Sequence, residues 1–357
     1  MKRTTHFSLS TFYTLLSSFL FLLTSCAPTP PPTPTGPQTI TVMTHDSFAI
    51  SEDVVKAFEA ENNAKVSFIQ SGDAGSMLNQ AVLTKDAPIA DVLFGVDNTF
   101  LSRALEADIF EAYASPALSD ISDEFKLDSS NRALPVDYGD VCINYDKAYF
   151  AENNLAIPQS FEDLAKPEYK GLLVMENPAT SSPGLAFLLA TRAHFGDGYL
   201  DYWKSLKENG AVVVDGWETA YYTNFSASSG KGPQPMVVSY ASSPAAEVFF
   251  ASEPLTDSPT TSIVASGMCF RQIEFVGILK NGQNQALAQK FVDFMLGQNF
   301  QEDMPLNMFV YPVNKNAQLP EVFTSFAQVA KEPVVISAAE IASNRDAWIE
   351  AWTAAMK

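Results

Sequence analysis

Three short runs in this chain place small polar and acidic side chains where a solute could be held: His45-Asp46-Ser47, Ser71-Gly72-Asp73 and Val96-Asp97-Asn98. Each follows a β-branched or apolar stretch that reads as a strand, so each run falls at a strand's C-terminal end. Ligands of open α/β sheets collect in the crevice outside those ends. Asp46, Ser47 and Asp97 read as ligand contacts. Asn98 can contact a ligand or cap the next helix, and short polar side chains serve both uses. A fourth run, Thr180-Ser181-Ser182-Pro183-Gly184, supplies hydroxyls and free backbone N–H groups at a helix start. Ser181 and Ser182 there can hold an anion such as phosphate. The plainer use is a helix cap with proline in the first turn. Aromatic side chains sit beside other predicted strand ends: Asp137-Tyr138, Trp217, Tyr221, Tyr222, Tyr240 with Ser242, Phe309 and Tyr311. Aromatic faces attract cations that carry no donor proton, and some of these rings must serve as core.

Catalytic patterns are missing. The histidines are His6, His45 and His194. They form no nucleophile set, and no nucleophile-elbow motif is present. No cysteine pair has zinc-ligand spacing and no phosphate-binding nucleotide loop occurs. The chain is therefore expected to be a binder rather than an enzyme, with no cofactor and no metal. With 22 Lys and Arg against 41 Asp and Glu, the formal charge is −19. That field repels nucleic acid and suits a small cation.

The elements that must position these residues alternate strand and helix, the pattern of a parallel α/β sheet. Thr39 to Thr44 reads as a strand, and Ser51 as the cap of a helix burying Val54, Val55 and Phe58. Val66 and Phe68 mark a second strand, with Met77, Leu78 and Val82 on the helix after it. Asp91 to Phe94 is a third strand, turning at Gly95. Leu172 to Met175, Val212 to Val214 and Met236 to Val238 repeat the pattern after Asp137. Ala286 to Leu296 is helical. The last helix opens on a capping box, Ser337 to Glu340, with Ile341, Trp348, Ile349 and Trp352 as its packing stripe.

The first residues read differently. Lys2 and Arg3 precede an apolar stretch too short to span a membrane. Leu23-Thr24-Ser25-Cys26 then has the lipobox pattern of a bacterial lipoprotein, with Cys26 as the acylated residue. A lipid anchor of that kind holds a protein stably at a membrane. Residues 27–37 are proline-rich and read as a semi-extended tether.

Taken together, the motifs resemble the thiamine-binding proteins of bacterial ABC importers, within the type II periplasmic-binding-protein fold. The carriers are Thr44-His45-Asp46-Ser47-Phe48, Gly95-Val96-Asp97-Asn98, Asp137-Tyr138-Gly139, Tyr145-Asp146-Lys147 and Thr180 to Gly184. Gly216-Trp217, Ala220-Tyr221, Ser239-Tyr240, Ser242-Ser243-Pro244, Tyr311-Pro312-Val313 and Trp348 continue the series. The resemblance implies an extracytoplasmic monomer that binds thiamine or its phosphates and passes the ligand to a membrane permease. It also implies that Trp217, Tyr221 and Tyr240 hold the rings, while Ser181 and Ser182 meet the phosphate or hydroxyethyl end. The chain departs from the family at Ile50-Ser51-Glu52 and at Phe309, where tryptophans are common. The alternatives are a ferric-iron or polyamine receptor, or a thiaminase-like enzyme on the same fold.

The implied architecture has two lobes, 38–136 plus 277–335 and 137–268. Residues 269–276 form the return hinge and residues 336–357 the C-terminal helix. Cys142 and Cys269 fall in the two crossing strands, which run side by side in such a fold. A disulfide is expected between them in an oxidising compartment, against the alternative of two separate buried thiols.

Overall fold

The computed structural model describes residues 36–227 and 231–357. The expectations for the signal, for Cys26 and for most of the tether lie outside the described residues. Pro37 to Lys357 form one compact unit.

The strands are β1 (Gln38–Thr44), β2 (Ala64–Gln70), β3 (Val92–Asp97), β4 (Phe110–Glu111), β5 (Leu134–Asp146), β6 (Leu173–Glu176), β7 (Val212–Val214), β8 (Met236–Tyr240), β9 (Thr260–Ile263), β10 (Phe270–Leu279) and β11 (Tyr311–Pro312). They join one mixed sheet in the order β2-β1-β3-β10-β5-β8-β6-β7, with β4 on β10 and with β9 and β11 on β5. β1 lies parallel to β2 and β3, and β6 lies parallel to β7 and β8. Each parallel trio is a half-sheet. Between the trios run β5 and β10, antiparallel to each other, carrying the chain from the first half to the second and back.

Residues alternate faces along these long strands. Asp137 and Tyr138 therefore point to opposite sides of β5, and only one of the two can face any given site. The disulfide Cys142–Cys269 ties the two crossing strands, with 4.4 Å between Cα atoms, next to the Val141–Phe270 pair.

Some local expectations are corrected. β3 does not turn at Gly95 but continues through it to Asp97. Gly95 holds φ +101° within the strand, and a Cβ there would lie 2.3 Å from the His45 ring. Only glycine combines that backbone with that close approach. Asp97 rather than Asn98 caps the following turn, accepting from the Thr99 hydroxyl (2.7 Å) and the Phe100 N–H (3.3 Å). The Asn98 amide instead bridges to β10, donating to the Arg271 carbonyl and accepting from the Ile273 N–H. Ser51 makes no side-chain cap; its hydroxyl accepts from Asn307. The C-terminal helix Ala338–Met356 starts as its capping box requires, with Glu340 N–H donating to Ser337 Oγ. Trp352 packs edge-on against Trp203 of the second half, and the Arg345 guanidinium lies over Phe100 of the first. Because its stripe touches both halves, that helix belongs to neither half alone.

Candidate functional site

At the C-terminal edges of the parallel strands lies a cavity of about 310 Å³, bounded by segments of both half-sheets. From the first half come His45 to Ala49 after β1, Asp73 and Ala74 at a helix start, and Asn307 to Val310. The second half gives Ser182 and Pro183, Trp217, Glu218, Tyr221 and Tyr222, Tyr240, Ser243, Ala246 and Phe250. Glu274 enters from β10.

One wall is aromatic. The Trp217 indole stacks on Tyr221 at 4.9 Å and meets Tyr222 and Tyr240 edge-on. Hydrogen bonds fix these rings. Trp217 Nε1 donates to Ser239 Oγ (2.9 Å), Tyr221 donates to Glu247 (2.6 Å) and Tyr240 to Gln272 (3.3 Å). The Gln272 amide in turn donates to Ser182 Oγ (2.8 Å). At the rim Phe309 meets Phe249 and Phe250 across the cleft at 5.9 and 5.4 Å between ring centres.

Much of the remaining polar lining is acidic. Asp46, Asp73, Glu218 and Glu274 all line the cavity, and among the described residues no lysine or arginine does. Asp73 occupies the place where an anion was expected. Its carboxylate accepts backbone N–H bonds from Ala74 (2.6 Å), Ser182 (3.3 Å) and Trp217 (3.1 Å). Two of these donors come from the opposite half. Burial raises the pKa of Asp46, Asp73, Glu218 and Glu274. His45, 3.5 Å from Glu274, is pushed down to about 4 by burial and stays neutral.

Of the residues expected at the site, the structure brings together Asp46, Ser47, Ser182, Trp217, Tyr221, Tyr240 and Phe309. Ser181 lies just behind, capping its own helix at Gly184 N–H. Asp97 and Asp137 are fully buried beneath the floor. Asn98 is spent on β10. Tyr138 faces away, stacked between Phe125 and Tyr311 with the Arg271 guanidinium over it. Tyr311 shares that outer cluster, since it pairs directly with Tyr138 across β11 and β5 and so lies on the same face. Ser242 donates to the Phe309 carbonyl and does not reach the cavity. Sequence reasoning left out Asp73, Glu218 and Glu274 as contacts. Asp73 was visible in a strand-end run. Glu274 carried one signal, an acid inside the otherwise apolar run Ile273 to Leu279.

A cleft between two half-sheets joined by two crossing strands, walled by rings and acids and without a nucleophile set, defines a solute receptor. Residues 87–325 match the bacterial extracellular solute-binding proteins. The thiamine-binding periplasmic protein of Escherichia coli is 31% identical over 322 residues, covering 89% of this chain and 93% of that protein. Its Salmonella typhimurium counterpart is 30% identical over 348 residues, covering 96% and 99%. The solved structure of a periplasmic thiamin-binding protein superposes with a TM-score of 0.80 at 28% identity, covering 92% of this chain and 99% of that one. A ferric ion-binding protein from Pasteurella haemolytica, at 19% identity and TM-score 0.70, shares the fold alone. The chain belongs to the bacterial extracellular solute-binding proteins, in the group of the thiamine-binding periplasmic proteins. It is an extracytoplasmic binding protein and not an enzyme.

Proposed function

We propose that this protein binds thiamine in the cavity and delivers it to the permease of an ATP-driven importer. The observation that carries the reading is the pairing of the Trp217–Tyr221–Tyr222–Tyr240 wall with a lining that holds four carboxylates and, among the described residues, no lysine or arginine. The thiazolium of thiamine is a permanent cation without an N–H donor. Ring faces and carboxylates are its natural partners. The cavity volume sits at the lower end of ordinary ligand pockets, about 300–1,000 Å³, which suits a two-ring vitamin. Ser182 would meet the hydroxyethyl end, or a phosphate on it.

Calorimetry on ligand-stripped protein is expected to give a sub-micromolar Kd for thiamine. A desolvated cation–π contact contributes up to about 2 kcal/mol. Trp217→Ala should therefore weaken binding about tenfold or more. Absence of thiamine binding by the wild type overturns the reading. A coloured charge-transfer band on iron loading would replace it with ferric transport.

The lobes we assign are residues 38–136 with 277–335, and residues 137–268, closing on the ligand as a monomer. Acylation at Cys26 would tether the receptor beside its permease. The lipobox and the proline-rich segment after it support that part of the reading.

A further inference from the structure

Three carboxylates stand side by side at the cavity floor on three adjacent strands. Glu274 of β10 pairs in register with Asp97 of β3 on one side and with Asp137 of β5 on the other. Directly paired residues of antiparallel strands present their side chains on one face. Asp97 and Asp137 are fully buried, while Glu274 reaches the cavity. Asp137 and Glu274 share a hydrogen bond between their carboxyl groups. Beyond it, among the described residues, no N–H or hydroxyl donor meets either oxygen of Asp137 or Oδ2 of Asp97.

Among the described residues, the groups around this row supply no cation. β1 and its loop give neutral His45 and acidic Asp46, and the helix start beyond β2 gives Asp73. β6 gives Glu176, whose two oxygens are likewise unmet, and the Trp217 segment gives Glu218. β8 gives Tyr240. Arg271, on β10 itself, is spent on Asp140 at 2.8 Å and on the Tyr138 face. Like charges on neighbouring strands repel far more strongly in a low-dielectric interior than in water. Three buried carboxylates cannot all ionise there without a counter-charge. Burial accordingly holds Asp97 and Asp137 up at about 7, and Glu274 well above the ordinary range, with Asp137 adding to the effect on Glu274.

We propose that the row Asp97–Glu274–Asp137 is the charge-reading element of the site: it holds protons while the cavity is empty and releases one to solvent when a permanent cation enters. Glu274 then faces the ligand as its counter-ion, and the row separates a cationic ring from a neutral ring of the same shape. The inference rests on the reading of the cavity as a thiamine site. Its sign follows from the proton count. The empty protein binds more protons than the complex, so affinity rises with pH, by up to about tenfold per unit while the row titrates.

The experiment is calorimetry of wild-type protein with thiamine in phosphate and in Tris, and across about pH 6 to 8. Buffer-dependent enthalpies should report release of about one proton per thiamine. The neutral isostere carrying thiophene in place of the thiazolium should bind about tenfold or more weakly and release none. Asp137→Asn should reduce the proton release while thiamine still binds. Thiamine binding with buffer-independent enthalpy and a pH-flat Kd overturns the proposal and leaves the thiamine reading intact. Equal affinity and equal proton release for the neutral isostere also overturns it. Failure of thiamine to bind at any pH removes both.

Discussion

Asp73 shows how one side chain can bridge the two halves of the cleft. It starts a helix of the first half, yet accepts N–H bonds from Ser182 and Trp217 of the second. A helix N-terminus favours a negative charge, and here a residue of the protein supplies it across the cleft. Hydrogen bonds to a charged acceptor are worth about 1.5–3 kcal/mol. Asp73→Asn keeps the shape but loses the charge, so thiamine should dissociate about tenfold faster or more. Stopped-flow displacement reads that rate, and an unchanged rate would show that Asp73 is no latch. At this scale the sequence was partly legible. Asp46, Trp217 and Tyr240 lie at strand ends whose patterns are plain. Asp97 misled because Gly95 looks like a turn, whereas close packing of His45 requires a glycine inside the strand. Tyr138 misled because adjacent residues of one strand face opposite ways, and the sequence does not say which one faces the cleft.

Among the elements, β5 and β10 decide the architecture. Both were expected as crossing strands from the family resemblance, since the acids and amides within them, such as Asp137, Asp140, Asn144 and Gln272, break any plain apolar run. Their register was not legible, since it depends on pairing between residues more than a hundred positions apart. The Cys142–Cys269 bond spans 127 residues. On the chain-entropy account, such a loop stabilises by up to about 5 kcal/mol. Urea unfolding with and without a reductant should show the reduced form unfolding at a clearly lower midpoint, and coincident curves would remove the assignment. The short elements escaped sequence reading for a simpler reason: β4, β9 and β11 are too brief to show a period, and neighbouring strands impose them.

The whole molecule carries a net charge of −19, and its field gathers cations towards a cleft whose lining has the same sign. Anchoring would keep that field at the membrane where the permease sits. Cys26→Ser is expected to move the protein from the membrane fraction to the soluble one. Unchanged fractionation and an unchanged mass would exclude acylation there. The position of β10 has one further consequence, for the order of assembly. This central strand pairs with β3 and β5, yet Phe270 leaves the ribosome long after both of them have been made. Until then the first half-sheet ends at β3 with an open edge, and β5 lacks a main partner. Contacts so distant in sequence form slowly. A nascent chain therefore cannot complete its sheet before β10 has been made, so export and final folding are ordered by the position of one strand.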